Sequence, residues 1–332
     1  MTAKTAFGSA ATMVLALPAR IVEPLFVGMQ KVLGIKKMPW VFLLPNLIAL
    51  ILFSLLPVLI NVYYSMTGSD RLYLTERPFV GSENFDVLLD CQSYLDPSSC
   101  ATDLFWRAVR NSLIFVPIQV IAMVGVSMAA AICLNRSLPG RGFFRSVFFF
   151  PVMLSPVVVA LTWQWILQRE GALNGILSWA SLPTANWLAQ PDTAFFWSVF
   201  VTVWAHMGFY TVIILAGLQS IPRDVYEAAK MDSAGHIKTF TAITLPLLKP
   251  ILLVVFVLCI IRSVQTFDEL YVLTGGGPGS ATMLIVQYIY EVGFAVQPRN
   301  FGLAASASLL LGIVLLIFTG LQMALSRKSN NG

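Results

Sequence analysis

Charge is scarce in this sequence. Only 11% of its 332 residues are Asp, Glu, Lys or Arg, and the mean hydropathy is +0.78, far too apolar for the surface of a soluble domain. Histidine is scarcer still: His206 and His236 stand alone, with no His-Glu-x-x-His pair, so zinc hydrolysis has no ligand set. A Gly-x-x-x-x-Gly-Lys-Ser/Thr loop is also missing, which excludes nucleotide hydrolysis by this chain through that motif. Of the four cysteines, Cys133 and Cys259 lie in apolar runs, while Cys91 and Cys100 share one hydrophilic loop. No Cys-x-x-Cys pattern exists for metal or redox chemistry. A catalytic cluster and a metal site are therefore absent from the expected function, and the chain is not read as an enzyme.

Long uncharged runs are what remain, and their length is that of a membrane span, about 20 residues. They predict an all-α polytopic membrane protein with six spans at about 40–64, 108–135, 146–168, 194–221, 250–272 and 301–325. Residues 1–38 carry Lys4, Arg20, Lys31, Lys36 and Lys37, and Arg20 with Glu23 splits their apolar stretch into halves too short to cross. That segment reads as interfacial, lying on the cytoplasmic face. The loop 65–107 is rich in acids, from Asp70 to Asp103, and reads as extracytoplasmic. Cys91 and Cys100 sit in that oxidising space as a candidate disulfide, a pairing that spacing leaves open. A net charge of +5 raises the question of nucleic acid. With both termini inside, however, most of the 21 basic residues fall on the cytoplasmic side, which is an orienting bias rather than a binding patch. The stretch 281–292 is too short to span and ends at Glu291, so it reads as an external or re-entrant helix.

One charged stretch interrupts the apolar runs on the basic side. Residues 222–249 read as a helix-turn-helix hairpin: Pro222 suits a first turn, Glu227, Ala228 and Ala229 favour helix, and Ser233, Ala234 and Gly235 allow a sharp bend. The second helix is expected to start near Ile237 and end near Pro246. Tyr226, Ala229, Phe240 and Ile243 form the face expected to point outward and fill a partner's groove.

The hairpin resembles the Glu-Ala-Ala loop of the membrane subunits of binding-protein-dependent ABC importers, in the carbohydrate-uptake branch typified by maltose and glycerol-phosphate systems. The matching residues are Glu227, Ala228, Ala229, Asp232, Ala234, Gly235, Phe240, Ile243, Leu245 and Pro246. Phe79-Val80-Gly81 with Asn84-Phe85, Phe143-Phe144-Arg145, Pro151 and Leu273-Thr274-Gly275-Gly276-Gly277-Pro278 extend the resemblance over most of the chain. One position departs: the glycine that usually follows the aspartate is Ser233, so the bend is expected to rely on Gly235. The resemblance implies a second permease subunit (a heterodimer), two cytoplasmic ATPase subunits that use ATP and Mg, an extracytoplasmic solute-binding protein and a sugar substrate. It also implies that Tyr226, Glu227, Ala228, Ala229, Asp232, Ser233, Gly235 and Phe240 couple to the ATPase.

Polar residues inside spans are the candidates for the sugar path. At helical spacing Arg262 shares a face with Gln265, Thr266 and Glu269, a polar stripe along the fifth span. Thr202, His206 and Phe209 share a face of the fourth, with Tyr210 beside them. The middles of these two spans line the sugar site in the maltose-type relative. Two readings stay open for Arg262: it faces a cavity, where it holds an anionic group on the sugar, or it pairs with Asp268, Glu269 or the partner permease. His206 is likewise a site residue or a satisfied interhelical histidine. A stand-alone secondary transporter is the alternative function. It calls for an internal repeat and intramembrane carboxylates, of which only Asp268 and Glu269, near a span end, come close.

Overall fold

The computed structural model describes residues 30, 34–68, 70–136 and 139–330. The interfacial segment read over 1–38 lies almost entirely outside the described residues. By contact the chain forms two units, Met1–Tyr63 and Tyr64–Gly332. The first unit contributes nearly all of α1 (Ile35–Ser65), whose apolar side chains are exposed.

In the second unit the elements are α2 (Glu83–Leu89), α3 (Asp103–Asn135), α4 (Arg141–Phe149), α5 (Pro156–Leu167), α6 (Ala172–Trp179), α7 (Pro191–Ser220), α8 (Arg223–Met231), α9 (His236–Val264), α10 (Asp268–Thr274), α11 (Ile285–Tyr290) and α12 (Phe301–Asn330). Among the described residues no strand forms; two isolated bridges, Thr67 with Phe79 and Cys91 with Cys100, are the only extended pairings. Among the described residues five helices, α1, α3, α7, α9 and α12, are long and apolar enough to cross a membrane.

The core forms where α3, α7 and α9 meet. Buried residues of α3 recur every three or four positions, at Ala108, Asn111, Phe115, Gln119, Met123, Ser127, Ala131 and Leu134, the spacing of one helical face. Phe115 meets Phe195 edge to face at 5.8 Å, and the Ser127 hydroxyl donates to Met207 O at 3.1 Å. The two contacts keep the same sequence offset, so α3 and α7 run parallel. Small residues allow close packing where lipid provides no hydrophobic drive. At Gly208 an added Cβ would lie 2.5 Å from Phe148 O.

Three sequence expectations are corrected here. First, the run 146–168, where Pro151 and Pro156 predict kinks in a membrane helix, is broken outright rather than kinked. Pro151 and Pro156 lack the N–H that would continue a helix, so α4 ends at Phe149, a 3₁₀ turn covers Phe150–Met153, and Leu154 and Ser155 are extended. The apolar pieces either side of that break are bent by 102°. Second, the hairpin's second helix does not end near Pro246. It begins at His236 and runs without interruption into the fifth span as α9. A π-helical turn at Phe240–Thr244 ends two residues before Pro246, and its wider winding is a way for a helix to accommodate a ring that would otherwise strike the carbonyl four residues back. Third, the fifth span stops at Val264, with an unwound link at 265–267 before α10. The stretch 281–292 becomes α11, extended by a π turn to Ala295.

In the loop before α3, Cys91 and Cys100 are joined by a disulfide. The Asp96 carboxylate accepts from the Ser98 hydroxyl and the Ser98 N–H at 2.6 and 3.1 Å, and these bonds hold it below the usual carboxylate range.

The hairpin bend is made by Ser233, not Gly235. Ser233 has φ +54°, whereas Gly235 is extended at φ −65° and ψ 161°. Ala234 N donates to Ala229 O at 2.9 Å and Ser233 N to Lys230 O at 3.0 Å, the paired bonds that close a helix end around a left-handed residue. A side chain in that conformation carries roughly 1–2 kcal/mol of strain. Ser233→Gly is therefore expected to raise stability by up to about 1 kcal/mol, and the β-branched Ser233→Val to lower it by about 1–2 kcal/mol. Thermal unfolding in detergent, followed by tryptophan emission, reads both; equal melting temperatures for the two variants would exclude strain at this bend.

Candidate functional site

The expected outward face of the hairpin is partly turned inward. Ala229 is buried, and Tyr226 packs on the core while its hydroxyl shares a hydrogen bond with Thr244 at 3.3 Å. Tethering the two arms of the hairpin uses up this apolar face. Phe240 and Ile243 are half-buried. The outward surface instead carries Glu227, Ala228, Lys230, Asp232, Ser233 and Gly235, flanked by Met231 and Ile237, which are 85% and 82% exposed. A charged rim around two protruding apolar side chains is a surface suited to protein docking.

Deeper in the helices, three ionisable side chains converge from separate elements. Glu269, at the start of α10, is fully buried. Its Oε1 lies 2.9 Å from Arg262 Nη2 of α9 and 2.6 Å from His206 Nε2 of α7. At 2.6 Å a proton must lie between the imidazole nitrogen and the carboxylate. Nε2 then has no lone pair for Arg262, and the 3.1 Å approach of Arg262 Nη2 to it is a close contact rather than a second hydrogen bond. Oε2 of Glu269 has no partner among the described residues. The unwound link at 265–267 makes the convergence possible. It turns the carboxylate back toward α7, whereas one straight helix would have strung Arg262, Gln265, Thr266 and Glu269 along its own side.

The expected polar stripe is thus corrected to a three-helix contact, and the candidate sugar-path residues divide. His206 and Arg262 are partly exposed, while Phe209 and Gln265 are exposed. Thr202, Tyr210 and Thr266 are buried. The Thr202 hydroxyl donates within its own helix to the carbonyls of Ser198 and Val199, both at 2.9 Å, and the Thr266 hydroxyl donates to Arg262 O at 3.1 Å. Tyr210 points its hydroxyl at Leu258 O, 3.5 Å away. Neither the 350 Å³ nor the 580 Å³ cavity is lined by any of the seven. Sequence reasoning missed Gln119 altogether. It is fully buried on α3, and neither atom of its amide has a partner among the described residues. A lone glutamine near the middle of an uncharged run was the available signal.

Residues 116–331 match the family described as binding-protein-dependent transport system inner membrane component. The chain belongs to that family. It is 35% identical, over 88% of its length and 94% of the relative's, to the trehalose/maltose transport system permease protein MalF of Thermococcus litoralis. It is 31% identical to the multiple sugar-binding transport system permease protein MsmF of Streptococcus mutans, across 90% of this chain and 98% of that one. A solved bacterial ABC transporter involved in the import of the acidic polysaccharide alginate has a chain of the same fold, with a TM-score of 0.75, 23% identity and 90% and 98% of the two chains covered. The relatives are transport permeases, and this one is a multi-pass component of the bacterial inner membrane.

In this permease the buried carboxylate joins the fourth span to the broken fifth, and removing one partner of a buried ion pair strands the other. Arg262 keeps some exposure, which softens that penalty. Glu269→Gln is expected to lower stability by about 1–3 kcal/mol, and the Glu269→Gln/Arg262→Met pair to recover part of it. Melting temperatures of the two single variants and the double variant give the coupling; strictly additive losses would mean the side chains do not interact.

Proposed function

We propose that this importer subunit carries a neutral sugar across the membrane and is driven through its hairpin by ATPase subunits that hold the nucleotide and Mg. The carrying observation is the continuity of α9. The exposed hairpin surface around Met231 and Ile237 sits at one end of a helix that also bears Arg262. From His236 to Arg262 that helix is about 39 Å long, so a push on the hairpin reaches the intramembrane contact without crossing a flexible joint. Closure of the paired ATPases would then tilt α9 against α7 and switch access between the two sides. Glu227 and Asp232 supply charged contacts to the ATPase, and Ala228, Ser233 and Gly235 let its surface approach closely. The hairpin itself contributes no catalysis.

Parallel α3 and α7 support six crossings, because the chain between them must return, and the broken α4–α5 pair is its apolar stretch. The bias of basic residues supports cytoplasmic termini and a cytoplasmic hairpin. The loop 65–107 then faces a solute-binding protein, and a second permease completes the path. Sugar is favoured over other solutes by the relatives named for trehalose, maltose and multiple sugars. Charge decides further: Arg262 already has Glu269 as its counter-ion, so a substrate carboxylate would meet a compensated cation and a buried anion. His206, Phe209, Arg262 and Gln265 offer hydrogen-bonding and aromatic surface to hydroxyls and sugar rings.

Reconstitution of the full transporter tests the reading. Glu227→Lys is expected to leave the subunit inserted and to cut sugar-stimulated uptake by about tenfold or more, the equivalent of about 1.4 kcal/mol of lost coupling. Uptake at the normal level in that variant would refute hairpin drive, and transport by the chain purified alone would favour a secondary transporter. Neutral sugars should compete for uptake while matching uronic acids do not; equal competition would overturn the substrate assignment.

A further inference from the structure

A second feature of the helices is independent of the hairpin and of the ion contact. α3, α9, α11 and α12 enclose an open crevice of about 580 Å³, whose walls include Trp106, Leu113, Pro117, Ile260, Leu311 and Phe318. We propose that it binds one phospholipid, with an acyl chain laid along the crevice and the phosphate held by Arg110.

The lining chemistry selects hydrocarbon. Only Trp106 and Ser112 bring polar atoms to the walls, and both are committed elsewhere. Trp106 Nε1 donates to Leu88 O at 2.8 Å. The Ser112 hydroxyl donates to Ala108 O at 2.7 Å and accepts from Ile285 N at 3.0 Å. A sugar or nucleotide would leave its hydroxyls unpaired there, at a cost of about 1–3 kcal/mol each.

Size and shape select a single chain. The walls follow α3 from Phe105 to Ile121, a distance of about 24 Å. An extended hydrocarbon rod about 4–4.5 Å across fills roughly 300–380 Å³ over that length and lies within the crevice.

The end of the crevice near the disulfide loop is built for a headgroup. The Trp106 ring packs at a tilt against Tyr94, centroids 4.9 Å apart, in the loop closed by Cys91 and Cys100, and such aromatic residues favour the membrane interface. Arg110 follows Trp106 by four residues and precedes Leu113 by three, so it shares their helix face. It is exposed and forms no salt bridge among the described residues, whereas Arg107 is bound to Asp103 at 2.6 Å. The other nearby acid, Asp96, is occupied by Ser98 and feels Arg110 only weakly, through space. Arg110 also borders a recess of about 350 Å³ with Arg107, Asn111 and Ser280, which gives the headgroup room. Guanidinium and phosphate oxygens make strong charge-assisted bonds.

The test uses the complete transporter in vesicles of phosphatidylethanolamine and phosphatidylglycerol. Phosphatidylglycerol with a diazirine in one acyl chain is photolysed, and labelled peptides are mapped. Labelling is expected on α3 and α12 within the crevice, to fall about tenfold in Arg110→Gln, as for a loss of one order in affinity, and to be blocked by Leu113→Trp, which narrows the walls. Arg110→Gln changes an exposed side chain and leaves the fold intact, so its result stands even if Leu113→Trp misfolds. In a parallel arm a photoreactive amino acid at position 113 reports what lies in the crevice. Cross-links to the partner permease instead of lipid, or lipid labelling spread evenly over every span, would overturn the proposal.

Discussion

Hydrocarbon cannot hydrate a charge, and the arrangement of α7, α9 and α10 follows from that. A carboxylate at this depth is tolerable only if donors come to it, and Glu269 receives them from two other helices. The unwound link after Val264 lets one side chain reach back that far. A continuous helix would have kept its backbone hydrogen bonds but left the arginine and the carboxylate to find partners elsewhere. Helix continuity in the fifth span is thus exchanged for charge satisfaction, and the exchange fixes the packing of three segments at one point. Among the described residues Oε2 of Glu269 and the amide of Gln119 have no partner, so satisfaction here is partial. Spans that slide past one another in a working cycle need contacts that are good in each state rather than perfect in one.

Much of this was legible in the sequence. Uncharged runs of membrane length located α1, α3, α7 and α12 closely, and the motif around Glu227 identified the family. What escaped was three-dimensional accounting of backbone groups. In the third run the two prolines announced kinks, but the sequence did not distinguish a kink from a full break of the helix. The hairpin looked self-contained because Pro246 is a helix stop in the absence of a widened turn before it. At the bend, glycine was assumed to occupy the left-handed position, and a serine does so with the paired carbonyl bonds that a glycine would have made.

The site was harder to read than the fold. Helical spacing placed Arg262, Gln265, Thr266 and Glu269 on one face, an inference valid only while the helix lasts. The pairing of Arg262 with Glu269 was one of two open readings for that arginine, but nothing in the spacing indicated that His206 would join them from α7. Threonines offered as sugar contacts satisfied themselves on carbonyls of their own helix, a choice available to every intramembrane hydroxyl. Tyr226 and Ala229, chosen for their apolar character, were claimed by the hairpin's own interior. Apolarity tells that a residue will be covered, and leaves undecided by what.

The π turn at Phe240–Thr244 imposes a counting rule on the chain. One residue of extra winding corresponds to about 100° of rotation, so this turn sets the compass bearing of the hairpin relative to Arg262. Substitutions along α9 alter surface and packing but preserve that bearing. Insertion or deletion of a single residue between Ser233 and Arg262 would swing one end away from its partner while every helix stayed intact. For this segment, length is an inherited integer, and its register is as much a part of the machinery as any side chain it carries.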